Sequence, residues 1–127
     1  MAKSAANVKI GKVVQYGAIS FEIKSAQKAA ECHNGKSQPG SLFLVIELKA
    51  ENTKSQSTAF IVPDEEMWLT CKEGELLKPE NYKFETALDA RKPSEGAIWY
   101  AVPEGAKKFS LMFGKRTLPK LPVDFEM

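Results

Sequence analysis

The chain contains little cysteine and almost no histidine, and these scarcities exclude several classes of site. Its 127 residues include two cysteines and one histidine. Two cysteines permit one disulfide but no disulfide framework. The three residues Cys32, His33 and Cys71 lack the fourth ligand of a zinc site at motif spacing. No Gly-x-Ser-x-Gly sequence is present, so a Ser-His-acid triad built on His33 is not expected. We interpret His33 as an exposed loop residue.

The chain also lacks a long apolar run and an excess of charge of either sign. No uncharged apolar run approaches the roughly 20 residues that a membrane helix requires. The 18 basic and 16 acidic side chains leave a net charge of +2, which gives no general attraction to nucleic acid or anionic lipid. The first seven residues carry a charge but no apolar segment, so they do not predict a secretory signal. The chain is therefore either cytoplasmic or a secreted domain whose leader has been removed.

What the chain does contain is the composition of a globular domain. Hydrophobic residues make up 43% and charged residues 27%, which is typical of a folded rather than a disordered chain. A chain of this length can bury a sizeable core without disulfide or metal staples. We expect one domain over residues 1–127.

The most informative segment spans residues 42–52. Its even-numbered positions from 42 to 50 are Leu, Leu, Ile, Leu and Ala, all apolar, whereas Glu47, Lys49 and Glu51 bring the opposite face into water after Phe43 and Val45. Alternation with one apolar face is typical of a strand inside an antiparallel sandwich. The segment therefore predicts the fold class, but it contains no pattern of a catalytic or ligand-binding site.

Further segments alternate in the same way between turn residues. They lie at residues 8–16, 19–23, 59–62, 67–71, 76–77, 97–102, 109–113 and 123–125. Residues 82–90 show no clear pattern and are expected to be irregular. Short strands at this spacing predict an all-β sandwich of about seven to nine strands.

Residues 25–31 are the one segment that favours a helix. The sequence Ser-Ala-Gln-Lys-Ala-Ala-Glu has good helix propensity, and Asn34-Gly35 would end a helix well. A loop that connects two strands has a similar composition. The sequence leaves both alternatives, a short helix or a connecting loop, open.

Several segments together resemble a known bacterial family. They are residues 8–12 (VKIGK) with 19–25 (ISFEIKS), 44–53 (LVIELKAENT), 69–74 (LTCKEG), and 95–97 (EGA) with 100–105 (YAVPEG) and 109–111 (FSL). The chain resembles an immunoglobulin-like family of unknown function found mostly in secreted proteins and lipoproteins. Some members carry a telomeric-repeat-binding label. Residues 79–91 and the Pro-rich tail beyond Lys115 depart from the family pattern.

The resemblance implies a fold and a compartment. The implied fold is an immunoglobulin-like antiparallel β-sandwich, and the implied location is extracytoplasmic, either secreted or lipid-anchored. A cytoplasmic location is the alternative. The resemblance brings no catalytic residues with it.

An acidic run follows Pro63 and suggests a possible cation site. Asp64, Glu65 and Glu66 supply the oxygens that calcium prefers. Their spacing lacks the alternation of an EF-hand loop, and no second acidic cluster lies nearby in sequence. We interpret the run as a solvated turn and expect neither a metal ion nor a cofactor.

Basic residues gather late in the chain, at Lys107, Lys108, Lys115, Arg116 and Lys120. With Trp68, Trp99 and Tyr100 they suggest a basic groove in which aromatic rings stack on bases. The three aromatic residues, however, lie in strongly apolar strands, where such side chains are usually core. The sequence contains no recognisable nucleic-acid-binding motif, so we do not expect nucleic acid as a partner.

These observations favour a non-enzymatic binding or accessory module outside the cytoplasm. Its partner would be another protein or a component of the cell envelope, recognised by loops or by a sheet edge. The sequence singles out no catalytic, cofactor-binding or metal-binding residue. One alternative is a small hydrolase or metal-dependent enzyme whose site is built from loops. Another is a structural domain that oligomerises through its sheet edges.

The two cysteines are expected to be thiols. Cys71 shares a face with Met67 and Leu69, as a small buried hydrophobe would. Cys32 lies in a predicted loop. An oxidising compartment would permit a bond between them, which is the competing alternative.

The register of the central segment gives a first prediction. Replacing Ile46 by Ala is expected to lower the free energy of unfolding by about 2–5 kcal/mol, because a core cavity forms. Lys49→Ala on the opposite face should change it by less than about 0.5 kcal/mol. Urea titration of both variants measures the difference. Equal losses would mean that the predicted register is wrong.

Overall fold

The described residues form twelve strands and one helical turn. The computed structural model describes residues 7–29, 31–32, 35–36, 39–53, 58–71, 76–89, 93–103, 105–114 and 120–126. The strands are β1 (Asn7–Tyr16), β2 (Ile19–Ala29), β3 (Glu31–Cys32), β4 (Gly35–Lys36), β5 (Ser41–Asn52), β6 (Ala59–Phe60), β7 (Met67–Thr70), β8 (Asn81–Lys83), β9 (Ala87–Leu88), β10 (Pro93–Pro103), β11 (Lys108–Phe113) and β12 (Lys120–Glu126). The helix is α1 (Pro63–Glu66).

The larger sheet has five strands in the order β1-β2-β5-β10-β8. Every pairing in it is antiparallel. Strand β5 lies at the centre, paired with β2 on one side and β10 on the other along nearly its whole length. Gly17, with φ of 60°, supplies the left-handed residue in the tight turn that joins β1 to β2.

The smaller sheet has three strands in the order β12-β11-β7, and it is also antiparallel. Its inner face packs on the inner face of the larger sheet. The rings of Phe21 on β2 and Phe113 on β11 meet at 4.8 Å between centroids. The Tyr100 hydroxyl on β10 donates a hydrogen bond to the Met67 carbonyl on β7 at 2.9 Å. The structure is therefore a two-layer β-sandwich.

The core between the sheets follows from the alternation of the strands. On β5, the four side chains Leu44, Ile46, Leu48 and Ala50 are fully buried. They join aromatic and aliphatic residues of both sheets in one cluster. A second, smaller cluster lies on the outer face of the larger sheet and contains Phe43, Val45 and Trp99. Strands β3 and β4 form a ribbon, and β3 contacts β5 on this part of the sheet.

A second ribbon, of β6 and β9, lies at the other end of β5. The fully buried Asn52 donates from Nδ2 to the Leu88 carbonyl at 3.0 Å and so ties this ribbon to the central strand. Pro63 follows as the first residue of α1, a position whose backbone N–H makes no hydrogen bond within a helix, so proline loses none there. In the described part of the chain, no helix has the length and apolar character needed to cross a membrane.

The sandwich prediction is confirmed. The two main sheets contain eight strands among the described residues, within the expected range of seven to nine. The final strand over 123–125 is confirmed as part of β12, and the expected irregular segment 82–90 instead contributes to β8 and β9. Immunoglobulin-like connectivity and the single domain over 1–127 stay predictions.

Both alternatives for residues 25–31 are wrong. Strand β2 continues to Ala29, and Glu31 already belongs to β3. Ala26 pairs with Ile46 and is buried in the core. A bulge near Lys24 shifts the register so that these residues still alternate between the two faces. Packing against β5 overrides the helix propensity of the segment.

Gly96 gives a second prediction, because β8 approaches it closely. A Cβ atom at this position would lie 1.8 Å from the Lys83 carbonyl oxygen. Gly96→Ala must therefore displace β8, and we expect it to lower the free energy of unfolding by about 1–3 kcal/mol. Gly105→Ala is the matched control, because no atom lies within 4 Å of a Cβ there. Similar unfolding curves for the two variants would contradict this account.

Candidate functional site

An open cavity of about 700 Å³ lies against the three-stranded sheet. Its polar lining comes from Thr70 on β7, Lys108 and Ser110 on β11, and Asp124 and Glu126 on β12; Cys71, Phe109 and Phe125 complete the lining. We call this feature the β11 cavity. Its volume is in the range of small-ligand and side-chain binding sites, which combine apolar walls with a few polar groups.

The register of the three strands brings the polar groups together. Ser110 pairs with Thr70 on one side and with Asp124 on the other. Directly opposed side chains in antiparallel strands lie on one face with Cβ atoms about 4.5–5.5 Å apart. Thr70, Ser110 and Asp124 therefore form a row across the outer face of the sheet. A second row, two positions away, pairs Lys108 with Glu126.

The charged pair at the rim is exposed. The Lys108 ammonium lies 3.9 Å from a carboxylate oxygen of Glu126, and both side chains are mostly in solvent. Such a pair contributes little to stability. Lys12 of β1 approaches from the side, with its Nζ 3.5 Å from the main-chain oxygen of Asp124.

The hydroxyl of Ser110 is the unusual group of this cavity. Its oxygen is buried and has no hydrogen-bond partner among the described residues. An unpartnered buried hydroxyl costs about 1–3 kcal/mol. A ligand that displaces the neighbouring side chains and bonds to this hydroxyl would recover part of that cost.

The end of the core beneath the cavity is aromatic and carries one buried cation. Phe109 stacks on Phe125 with 5.5 Å between ring centroids. The Lys28 ammonium lies 5.7 Å from the Phe109 centroid and donates to the Ala106 carbonyl. Lys28 is 7% exposed, so these contacts replace much of its hydration.

A second groove, of about 470 Å³, crosses the outer face of the five-stranded sheet. Ala29, Val45 and Ala97 form its apolar floor. An exposed ion pair between Lys24 and Glu95 lies at its rim. The neighbouring aromatic cluster is already covered, since Trp99 and Phe43 are each 5% exposed.

The β6–β9 ribbon and the segment that follows β6 present two apolar side chains to solvent. Phe60 is 71% exposed and Val62 is 43% exposed, whereas Ile61 between them is buried. The alternation places Phe60 and Val62 on the same side of the extended segment. We call these two residues the ribbon knob.

The acidic run lies in α1 and does not form a shared oxygen site. Asp64 and Glu65 are exposed. Glu66 accepts hydrogen bonds from the Tyr16 hydroxyl at 2.7 Å and from the Val62 amide at 2.8 Å. In the part of the chain that is described, no three His, Cys, Asp or Glu side chains come close enough to share a metal ion. The expectation that the protein binds no metal stays a prediction.

The aromatic residues considered as stacking platforms are buried. Trp68 is 3%, Trp99 5% and Tyr100 0% exposed, so the interpretation of all three as core residues is confirmed. The Trp68 indole donates to the Gly114 carbonyl at 3.0 Å. Of the late basic residues, Lys107 and Lys108 are exposed. Lys115 and Arg116 and the side chain of Lys120 lie outside what the structure describes.

Of the candidates His33, Cys32 and Cys71, only the side chain of Cys71 lies within the described residues. His33 and the side chain of Cys32 lie outside them. Cys71 is a half-buried thiol that packs on the main core and lines the β11 cavity. The state of Cys32 stays a prediction. Sequence reasoning missed the cavity, because Thr70, Ser110 and Asp124 come from strands that lie 40 or 14 positions apart.

Comparison with known families gives one match over most of the chain. A family described as a domain of unknown function, DUF4352, matches residues 8–119. No curated protein matches the chain.

Solved structures share the fold at low sequence identity. A conserved hypothetical protein from Bacillus anthracis has a TM-score of 0.71 at 9% identity, covering 98% of this chain and 99% of that chain. An uncharacterized β-sandwich protein from Clostridium difficile has a TM-score of 0.64 at 10% identity, covering 93% and 91%. A candidate lipoprotein from Bacillus subtilis has a TM-score of 0.64 at 15% identity, covering 94% of this chain but 38% of that chain.

The two tyrosines that tie the fold together predict a loss of stability in alkali. Burial, followed by the hydrogen bond to Glu66, raises the pKa of Tyr16 to about 12. Burial also raises the pKa of Tyr100 well above its ordinary value. Between about pH 10 and pH 12 the unfolded chain loses these protons while the folded chain keeps them, so the free energy of unfolding decreases as pH rises.

Urea unfolding at pH 8 and pH 11 measures this effect. The decrease between the two pH values should be smaller in Tyr16→Phe than in the unmodified protein, because the titrating group is gone. At pH 8, below both tyrosine transitions, the difference in free energy of unfolding between Tyr16→Phe and the unmodified protein gives the cost of the lost hydrogen bond alone. An unchanged pH dependence in the variant would contradict the assignment.

Proposed function

The chain belongs to the DUF4352 family of domains of unknown function, and from the geometry of its surface we propose that it is a non-enzymatic binding or accessory module. It recognises its partner through the β11 cavity. It works outside the cytoplasm, and its partner is another protein or a component of the cell envelope.

The observation that carries this proposal is the β11 cavity itself. It combines about 700 Å³ of open volume with a row of hydrogen-bonding side chains. The buried Ser110 hydroxyl in that row has no partner among the described residues. A cavity with apolar walls and a few oriented polar groups is the usual form of a recognition site.

The edges at β1, β7 and β8 are less suited to recognition, because each of these three strands is blunted. Edge strand β1 has a bulge between Lys9 and Lys12, and Gly11 there has φ of 63°. In edge strand β7, Leu69 exchanges two backbone hydrogen bonds with Leu77, of 2.8 and 3.1 Å. Edge strand β8 has three residues. Bulges, lysines and short strands are the devices that prevent strand addition, which also disfavours oligomerisation through these three edges.

The arrangement of the cavity favours binding over catalysis. A serine nucleophile needs a neighbouring base to accept its proton, and no hydrogen-bond partner of the Ser110 hydroxyl is found in the described ranges. A loop-built hydrolase or metal-dependent enzyme is the alternative function. It would need a base or a metal ion brought to this cavity.

The extracytoplasmic location rests on relatives. The family resemblance of the sequence implies secreted proteins and lipoproteins, and one structural neighbour is described as a candidate lipoprotein. This chain covers 38% of that neighbour, so the neighbour carries further sequence beside the shared fold.

Nuclear magnetic resonance titration tests the binding proposal. The ¹⁵N-labelled protein is titrated separately with a random-sequence octapeptide mixture and with soluble peptidoglycan fragments. We expect one probe to shift the amide signals of Thr70, Ser110 and Asp124 in a saturable way. Ser110→Phe should remove these shifts, because the larger side chain fills the cavity.

Two outcomes would contradict the proposal. The first is that neither probe shifts the three cavity signals, or that Ser110→Phe, still folded by circular dichroism, leaves the shifts unchanged. The second is turnover of either probe, detected by mass spectrometry, which would favour the enzyme. Glu80→Gln is the control, because Glu80 is exposed and lies outside the cavity lining.

A further inference from the structure

The ribbon knob is held in place by the fold although it stays in solvent. Phe60 is 71% exposed, whereas Ile61, the next residue, is 2% exposed. The Ile61 amide donates to the Thr86 carbonyl at 3.0 Å, and the Asn52 side chain fixes the partner strand at the Leu88 carbonyl. An aromatic side chain on an anchored ribbon loses little conformational entropy on binding. The ribbon knob is therefore suited to contact a partner.

Large apolar side chains that the described residues leave exposed are concentrated at the ribbon knob. Two of the three are Phe60 and Val62, and the third is Val13 on β1. In the ribbon, Ala87 lies directly opposite Phe60, and its methyl group is too small to cover an aromatic ring. The Phe60 ring therefore stays open to a partner.

Two carboxylates flank the Phe60 ring on the opposite strand of the ribbon. Glu85 and Asp89 lie two positions on either side of Ala87, and all three are exposed, so alternation places them on the face that carries Phe60. Asp89 accepts a hydrogen bond from the Thr58 hydroxyl across the ribbon at 3.4 Å. Diagonal neighbours in an antiparallel pair are about 7–8 Å apart, within reach of a long side chain. A cation over the Phe60 ring can therefore reach a carboxylate.

The acidic character extends from the ribbon into α1. Asp64 and Glu65 are exposed and follow closely after Val62. Residues 58–66 and 84–89, which form the ribbon and α1, contain five carboxylates and no lysine, arginine or histidine, although the whole chain has a net charge of +2. Such a surface repels nucleic acid and anionic lipid, and it attracts a cationic partner.

The ribbon knob and the β11 cavity lie at opposite ends of the molecule. Asn52, which holds the ribbon, pairs with Ile19 at the start of β2. Lys28, which contacts the cavity-lining Phe109, lies nine positions further along the same strand. Nine strand residues span about 30 Å. The ribbon knob is therefore a second surface, separate from the cavity.

We propose that the ribbon knob binds a cationic segment of another protein, with an arginine guanidinium stacked on the Phe60 ring and paired with the Glu85 or Asp89 carboxylate. A guanidinium suits both contacts, because its plane stacks on an aromatic face and its fork of N–H groups matches a carboxylate. An apolar side chain beside the arginine contacts Val62. The inference goes beyond the proposed role of the β11 cavity and does not depend on it.

Nuclear magnetic resonance titration with a model peptide tests the proposal. The ¹⁵N-labelled protein is titrated with a pentapeptide that alternates arginine with leucine and has blocked ends. We expect saturable shifts of the amide signals of Phe60, Val62 and Ala87, and a dissociation constant that rises with salt concentration. The same peptide with lysine in place of arginine should bind more weakly. The peptide with glutamate in place of arginine should not bind.

Variants of the ribbon separate the aromatic from the electrostatic contribution. Phe60→Ser should raise the dissociation constant of the arginine peptide by at least about tenfold, as expected for loss of an aromatic anchor. Glu85→Gln combined with Asp89→Asn should raise it by about two- to tenfold and reduce its dependence on salt. Val13→Ser, at a side chain that is 67% exposed on β1, is the apolar control. Glu80→Gln, at an exposed residue outside the ribbon, is the charge control. Both controls should leave the dissociation constant unchanged.

Three results would overturn the inference. The first is an arginine peptide that leaves the Phe60 and Ala87 signals unshifted. The second is binding that Phe60→Ser does not weaken or that the glutamate peptide shares. The third is self-association of the unmodified protein in sedimentation velocity that Phe60→Ser abolishes, since a second copy would then cover the ribbon knob. Saturable shifts at Thr70, Ser110 and Asp124 in the titration described above would still support the β11 cavity, so the two proposals fail separately.

Discussion

The burial of one face of β5 is the constraint on which the rest of the structure depends. Leu44, Ile46, Leu48 and Ala50 are fully buried, and β2 and β10 pair with the strand on either side. A shift of one residue in the register of either pairing would expose these side chains to solvent. The register of the larger sheet therefore follows from β5. The position of the smaller sheet follows in turn, since it must cover this face, and the Tyr100–Met67 hydrogen bond joins the two layers.

Because the inner faces of both sheets form the core, only the outer faces and the ends of the sandwich are accessible to a ligand. The outer face of the larger sheet is partly closed, because Phe43, Val45 and Trp99 are already buried there. The outer face of the smaller sheet stays open at the row of Ser110. The open row of hydrogen-bonding side chains thus lies at one end of the molecule, and the anchored ribbon with Phe60 lies at the other. The two surfaces arise from the same architecture, although different strands build them.

The sequence predicted those parts of the structure that depend on local alternation. Leu44, Ile46 and Leu48 are core residues as expected, and Trp68, Trp99 and Tyr100 are buried. Residues 25–29 were assigned wrongly, because their propensity is local whereas their strand conformation comes from pairing with β5. The β11 cavity was not predictable for a related reason. From the sequence alone, Ser110 is an ordinary outward-facing strand residue. Its position between Thr70 and Asp124 depends on the register of three strands, which no local sequence pattern determines.

The pairing of β5 with β10 has a consequence for how fast the chain reaches this structure. Ser41 pairs with Pro103 at one end of the ladder and Glu51 with Pro93 at the other, so a long loop must close before the first of these contacts forms. The β1–β2 hairpin, with Gly17 in its turn, needs no such closure. Sandwiches dominated by distant contacts fold in about milliseconds to seconds. Until β10 pairs, one hydrogen-bonding edge of β5 stays open, and an unpaired strand edge of this kind makes an incompletely folded chain prone to aggregation.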